Sequence, residues 1–289
     1  MELRHVYGRT YAAVGATALM PVYKLTDTDI VLMDTGYAKL DRSALTNLIE
    51  DNGFRLRGIL CSHAHFDHTG NVRYLQQRYG CQAAAQIIEA GISVNPDAYR
   101  ANYVALTYGK SHEYFLEECF LADVIIPADA DHVDFCGARF GILQLPGHSA
   151  GHIGIVTPDN VAYVGDCLID EGQIEGAKLP TSMFIARDLE SKESLRTAWR
   201  TACPLTSGSI PSAKKKTSGP TMSSSSAWWS GILPTLWTGW QTRAALRCGG
   251  NSAPSTISAG MRKANDCIGG RKPAIIGGHP CKYNEKLRY

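Results

Sequence analysis

Three of the nine histidines of this 289-residue chain fall within six consecutive positions, in the run Cys61-Ser62-His63-Ala64-His65-Phe66-Asp67-His68-Thr69-Gly70. Imidazoles crowded this closely repel one another when protonated, so the segment is built around a shared partner, and a divalent metal ion is the partner that suits them. The crowding also constrains the fold, because ligands keep their places only where short loops leave rigid elements. The preceding stretch, RLRGILCS, reads as a short apolar strand that delivers the cluster at its C-terminal end. The following stretch, NVRYLQQRYG, sets Val72, Leu75 and Tyr79 three and four apart, as on a helix. The cluster therefore lies between a strand and a helix, and the helix N-terminus adds a partial positive charge.

The rest of residues 1–203 reads as a strand-rich α/β domain. PVYKLTDTDIVLMDTG predicts two strands joined by a turn at Asp27-Thr28-Asp29. Ala84 to Leu121 reads as helical and carries Tyr99, Tyr103, Tyr108 and Tyr114, taken as packing residues. RFGILQLPGH is a strand that runs out at His148. HIGIVTPDNVAYVGD predicts a hairpin with its turn at Pro158-Asp159-Asn160, ending at Asp166, and LESKESLRTAWR predicts a helix through Leu189, Leu195 and Trp199. Three separate strand ends thus stop at His63–His68, at His148 and at Asp166, a placement typical of metal and catalytic ligands.

In an extended loop, residues two apart point the same way, so His63 and His65 can reach one ion together. With His148 they make the three protein ligands of a catalytic zinc that keeps one position open. Asp67, His68 and Asp166 would serve a second ion, with Asp166 placed to bridge both. His5, His112 and His132 lack such context and read as surface residues, and Asp170 and Glu171 as solvated. Cys61, Cys136 and Cys167, each beside a strand-like run, read as small buried hydrophobes.

HAHFDH resembles the HxHxDH signature of the metallo-β-lactamase fold superfamily. LPGHSAGH is similar to its second histidine motif, YVGDCL to its bridging-aspartate motif, and VLMDTG to the aspartate-bearing strand end upstream. The four occur in family order over roughly residues 20–200. The resemblance implies a four-layer αββα sandwich with the metals at one edge of the two sheets. It implies Asp34 as a residue behind the ligands, His152 as a structural or substrate-side histidine, and Asp67 as the group that orients a metal-activated water or takes its proton. Most members are hydrolases of esters, thioesters, lactones, β-lactams or phosphodiesters, and some are iron enzymes. The resemblance also implies a last histidine some 40–60 residues beyond the bridging aspartate. No histidine lies between His152 and His279, and IIGGHPCKY around His279 reads as an unlike context. The expectation is one firmly bound zinc, a second bound weakly, and impaired turnover of a small-molecule substrate. The alternatives are a mononuclear iron oxygenase on His63, His148 and Asp166, or a non-catalytic relative.

Residues 204–289 differ in kind. They hold two acids, Asp266 and Glu285, against 12 of the 29 Lys and Arg, which puts this tail near +10 and the body near −8. Four of the five tryptophans and the run Ser223–Ser226 fall here, without helical or strand periodicity. Two readings account for this composition: a genuine low-complexity basic tail, or a shifted reading frame, in which Trp228-Trp229 encodes Val, Trp237-Thr238 Asp and Trp240-Gln241 Ala. On either reading the basic tail is not evidence for a nucleic-acid-binding arm. No stretch of about 18 apolar residues predicts a membrane span. The first residues, MELRHVYGRTYAAVG, lack the apolar core of a secretory signal, and nine cysteines without a CxxC pair suit reduced thiols, so a cytoplasmic location is expected.

Overall fold

Residues whose alternate side chains are apolar on both faces set the centre of the molecule. The computed structural model describes residues 1–103, 116–169, 182–202 and 274–276. Their strands form two sheets. The first holds β1 (Glu2–Tyr7), β2 (Thr10–Val14), β3 (Leu19–Lys24), β4 (Asp29–Met33), β5 (Arg55–Leu60), β6 (Gln82–Gln86) and β7 (Val124–Ile126) in sequence order. β1 to β4 pair antiparallel, and β4 to β7 pair parallel. The second sheet runs β12 (Ala274–Ile276), β11 (Val161–Tyr163), β10 (Ile153–Val156), β9 (Ala138–Gln144) and β8 (His132–Phe135).

Strand periodicity of two divides the side chains between layers. Val31, Met33, Leu60 and Ala84 of the first sheet pack between the sheets with Phe140, Ile142, Ile153, Ile155 and Tyr163 of the second. Their neighbours Ile30, Leu32, Ile59, Ala83 and Ala85 face the other way, onto α1 (Ala38–Asp51) and α3 (Val72–Tyr79). The two helices answer with Leu45, Leu48, Ile49, Val72 and Leu75, at spacings of three and four. α3 ends at Gly80, whose left-handed backbone (φ 65°) lets its N–H bond Gln76 O at 2.9 Å. On the far face of the second sheet, Leu195 of a long helix, α6 (Ile185–Ala202), packs with Leu145, Val156, Ala162, Val164 and Cys167. Helix, sheet, sheet, helix is the layer order expected from the sequence.

Most expected elements stand where the sequence put them. The β10–β11 hairpin turns through Asn160 at φ 64°, and the β3–β4 turn closes with Leu25 N–H on Asp29 O at 2.8 Å. The region from Ala84 onward differs. Residues through Gln86 belong to β6, in the middle of the parallel run, and the helices are α4 (Ile87–Ser93) and α5 (Pro96–Tyr103). The alanines of QAAAQ favour helix by propensity, but small side chains on both faces suit a strand packed between two layers, and tertiary context prevails. Cys61 and Cys167 are buried as expected; Cys136 is half-buried, at φ 51° in the β8–β9 turn. Tyr99 is fully buried with its hydroxyl 2.6 Å from Thr69 Oγ1, which is a packing role. Tyr108, Tyr114, His112, Asp170, Glu171 and His279 lie outside the described residues, as does all of the basic tail except β12, which pairs parallel with β11. Among the described residues no helix is long and apolar enough to cross a membrane.

Candidate metal centre

The carboxyl ends of β4 and β5 and the exits of β9 and β11 open on one edge of the sandwich. β4 releases Asp34, β5 releases Ser62 to His68 partly through a single turn of helix, α2 (Phe66–Thr69), β9 releases His148 and β11 releases Asp166. Ring nitrogens of His63, His65 and His148 all lie within 4.8 Å of one another, and all three residues are buried. The His63 ring centroid is 4.5 Å from His65, 4.3 Å from His68, 4.9 Å from His148 and 4.9 Å from His152. Four histidines from two loops thus surround one ring.

The hydrogen bonds fix which nitrogen of His63, His65 and His68 is left for a ligand. Ser62 Oγ donates to Asp34 Oδ2 at 2.6 Å, so the same oxygen accepts from His63 Nδ1, 2.9 Å away. His63 then carries its lone pair on Nε2, which is buried and has no hydrogen-bond partner among the described residues. His65 Nε2 donates to Asn102 O at 3.3 Å, which leaves the Nδ1 lone pair 3.0 Å from His148 Nε2. Asp34 Oδ2 accepts from His68 Nδ1 at 2.8 Å and from Tyr163 OH at 2.6 Å. His68 Nε2 then faces Asp166 Oδ1 at 3.1 Å, and His148 Nε2 faces Asp166 Oδ2 at 3.2 Å. A lone pair turned on a carboxylate is repulsive unless a positive charge, proton or metal ion, stands between them. The donor set therefore fits a borderline metal ion: imidazole nitrogens with fixed tautomers around a carboxylate.

Electrostatics point the same way. Burial, followed by the neighbouring rings, holds His63 and His65 well below the ordinary imidazole value, and burial does the same to His152, so these rings are neutral near pH 7. Burial also opposes a charge on His68, but Asp166 and Asp34 on its two sides overcome this and raise it well above that value. His68 is thus the ring that most favours carrying a proton. Asp34 itself receives Ser62 N–H, Ser62 Oγ–H, Tyr163 O–H and His68 Nδ1–H, so its oxygens are engaged, and ligand atoms of Asp34, His63 and His68 also lie within 4.8 Å of one another. Its backbone sits at φ 59°, strained for an aspartate, as happens where a site over-determines a residue.

His63, His65 and His148 form one group, and His68 lies between Asp34 and Asp166. Asp67 lies within the α2 turn, directly before His68, and is half-buried. His152 accepts Asp166 N–H on Nε2 at 3.2 Å, which makes it a brace for the aspartate, and Gly165 is required there because a Cβ would come within 2.7 Å of that same nitrogen. His5 and His132 are exposed and distant, His5 bonded to Gly8 O and His132 paired with Asp131.

The metallo-beta-lactamase superfamily profile matches residues 22–205, well over half of the chain. The chain belongs to the metallo-beta-lactamase superfamily. Among curated members, it is 30% identical over 132 residues to the hydroxyacylglutathione hydrolase GloC of Haemophilus influenzae, covering 44% of this chain and 57% of that one. It is 29% identical over 150 residues to a hydroxyacylglutathione hydrolase of Shewanella baltica, covering 50% of this chain and 44% of that one. The chain thus spans about half the length of these relatives. The class B3 di-zinc metallo-beta-lactamase LRA-12 from an Alaskan soil metagenome shares the fold, with a TM-score of 0.52 at 18% identity over 68% of this chain and 74% of that one. A beta-lactamase from Chitinophaga pinensis does so with a TM-score of 0.51 at 17% identity over 70% and 74%.

Two residues of this superfamily member carry no signal in the sequence. Glu89, at the start of α4, is buried and hydrogen-bonded to both histidine loops. Glu118 is buried, its Oε2 has no hydrogen-bond partner among the described residues, and burial pushes its carboxyl up to about 7 against the pull of Arg42 and Lys39. Neither belongs to a spaced motif, and only the folded chain brings them near the site.

Proposed function

We propose that this superfamily member is a metal-dependent hydrolase of small-molecule thioesters, with zinc held first by His63, His65 and His148 and more weakly by His68 and Asp166. The observation that carries this reading is the fixed tautomer of His63, whose buried Nε2 lone pair has no hydrogen-bond partner among the described residues, in a group whose ligand atoms from His63, His65 and His148 lie within 4.8 Å of one another. A bound zinc supplies a water acidic enough to act as a nucleophile at neutral pH and a Lewis acid for the substrate carbonyl. The chain's own residues do the rest. His63 and His65 stay neutral through burial, so they are ready ligands near pH 7. Ser62 and Asp34 hold the rings of His63 and His68 in their tautomers. Asp67, half-buried and next to His68 in the chain, would orient the water or accept its proton. The thioester class is drawn from the hydroxyacylglutathione hydrolases among the relatives.

The test begins with elemental analysis of the full chain purified without added metal, followed by an assay over hydroxyacylglutathione thioesters, simple esters, lactones, β-lactams and phosphodiesters. The expected result is about one equivalent of tightly held zinc and thioester turnover that a chelator removes and zinc restores. Tightly held iron in place of zinc would favour the oxygenase alternative. A zinc-loaded chain that leaves every substrate intact would favour the non-catalytic one.

A further inference from the structure

Glu89 reaches the metal centre without touching it. It lies in the first turn of α4, immediately after β6, and its side chain is 1% exposed. Its Oε2 accepts Ala64 N–H at 2.7 Å, and Ala64 stands between His63 and His65. Its Oε1 accepts both Ser149 Oγ–H and Gly151 N–H at 2.7 Å each. Ser149 directly follows His148, and Gly151 directly precedes His152. One carboxylate thus joins the loop after β5 to the loop after β9, from a third element.

The surroundings leave little room for adjustment. Gln86 closes the start of α4 by accepting Ile88 N–H at 2.6 Å. Gly151 is seated against that same Gln86 oxygen, and a Cβ there would fall on it. All three of Glu89's partners are donors, so a carboxylate, which only accepts, is the group that satisfies them together. An amide of the same shape would turn an NH2 toward at least one of these donors.

We propose that Glu89 is a positioning residue that sets the distance between the His63–His65 loop and the His148 loop, and thereby the metal affinity of the three-histidine group. This inference rests on the reading of that group as a zinc site, and it adds a determinant that is neither a ligand nor bonded to one. Outer groups that orient ligands typically govern about 10- to 100-fold in metal affinity, and Glu89 acts at the same remove through two loops at once.

The experiment compares the wild-type full chain with Glu89→Gln and Ser149→Ala by zinc competition against a chromophoric chelator. The visible absorption of the cobalt-substituted proteins reports ligand geometry. For Glu89→Gln the expected result is zinc affinity lower by about 10- to 100-fold and a displaced cobalt spectrum in a protein that still folds. Ser149→Ala, which removes one of the three donors, is expected to show a smaller loss and the same direction of spectral change. A folded Glu89→Gln protein that melts lower but keeps the wild-type zinc affinity and cobalt spectrum would overturn the proposal, since a merely structural role predicts that outcome. Should Glu89→Gln fail to fold, the Ser149→Ala spectrum decides, and an unchanged one overturns it. A wild-type chain that binds neither metal removes the zinc reading and this inference with it, whereas tight wild-type binding with unaltered variants removes the inference alone.

Discussion

Asp34 gathers four donors on two oxygens, and one of them is the Nδ1–H that fixes His68. Asn in its place would set an NH2 against some of these donors, and His68 could then carry its proton on Nε2, the nitrogen that faces Asp166. Asp34→Asn is expected to weaken metal binding by His68 and Asp166 by about 10- to 100-fold while most zinc at the three-histidine group remains. Metal content after dialysis at graded zinc concentrations checks this, and an unaltered second equivalent would contradict it. Glu118 supports a second residue-scale expectation. Its folded value of about 7 lies above the ordinary carboxyl value of 4.5, so between these the folded chain holds a proton that the unfolded chain has lost. Stability falls as pH rises through that window, and the penalty is complete above it. Glu118→Gln is therefore expected to stabilise the protein at pH 8 by up to about 3 kcal/mol and far less at pH 5, read from denaturant midpoints of variant and wild type at both values. The ligand candidates themselves were legible in the sequence because ligand chemistry demands particular residue types at short spacing. Glu89 and Glu118 were not, because their roles come from burial and from partners such as Ser149, 60 residues away from Glu89.

At the scale of elements, the loops that carry the histidines are held from outside as firmly as from within. α6 begins against the loop before His148: Phe184 N–H bonds Gly147 O at 2.9 Å, and Ser191 Oγ–H bonds Pro146 O at 2.8 Å. Gly147 sits at φ 148°, a conformation L side chains rarely adopt, and a Cβ there would fall on the backbone of Asp188. Gly147→Ala is expected to cost about 1–3 kcal/mol and to speed zinc loss, because α6 and the His148 loop must separate to admit the methyl. Gly80 is the control: it too has a positive φ, of 65°, but open space around it, so Gly80→Ala should cost about 1 kcal/mol and leave zinc retention alone. Equal zinc loss rates in the two variants would show that α6 does not brace the site. The strands bounded by apolar runs and turn residues, such as β5 and the β10–β11 hairpin, were readable from periodicity. β6 was not, because QAAAQ alternates nothing: alanine on both faces gives no period of two, and only its place between β5 and β7 makes it a strand.

For the whole molecule, the telling feature is where β12 lies. A three-residue strand more than a hundred residues after β11 pairs with it in parallel, Val161 opposite Ala274 and Tyr163 opposite Ile276. The tail's composition concealed this strand, since three apolar residues within a basic, serine-rich segment carry no period long enough to read. β11 is buried along its length, and its last residue, Tyr163, donates to Asp34 behind the metal centre. Removing residues 274–289 would leave β11 as an edge strand with its backbone groups unpaired on one side. That change is expected to lower the unfolding midpoint, to raise light scattering through edge-to-edge association, and to loosen zinc as Tyr163 loses its support. Restoring the segment to the truncated chain should reverse all three, since the effect belongs to pairing along β11. A truncated chain with an unchanged midpoint and full zinc retention would mean that the second sheet holds the ligands from β8 to β11 alone, and that the Asp34–Tyr163 bond does not depend on the outermost strand.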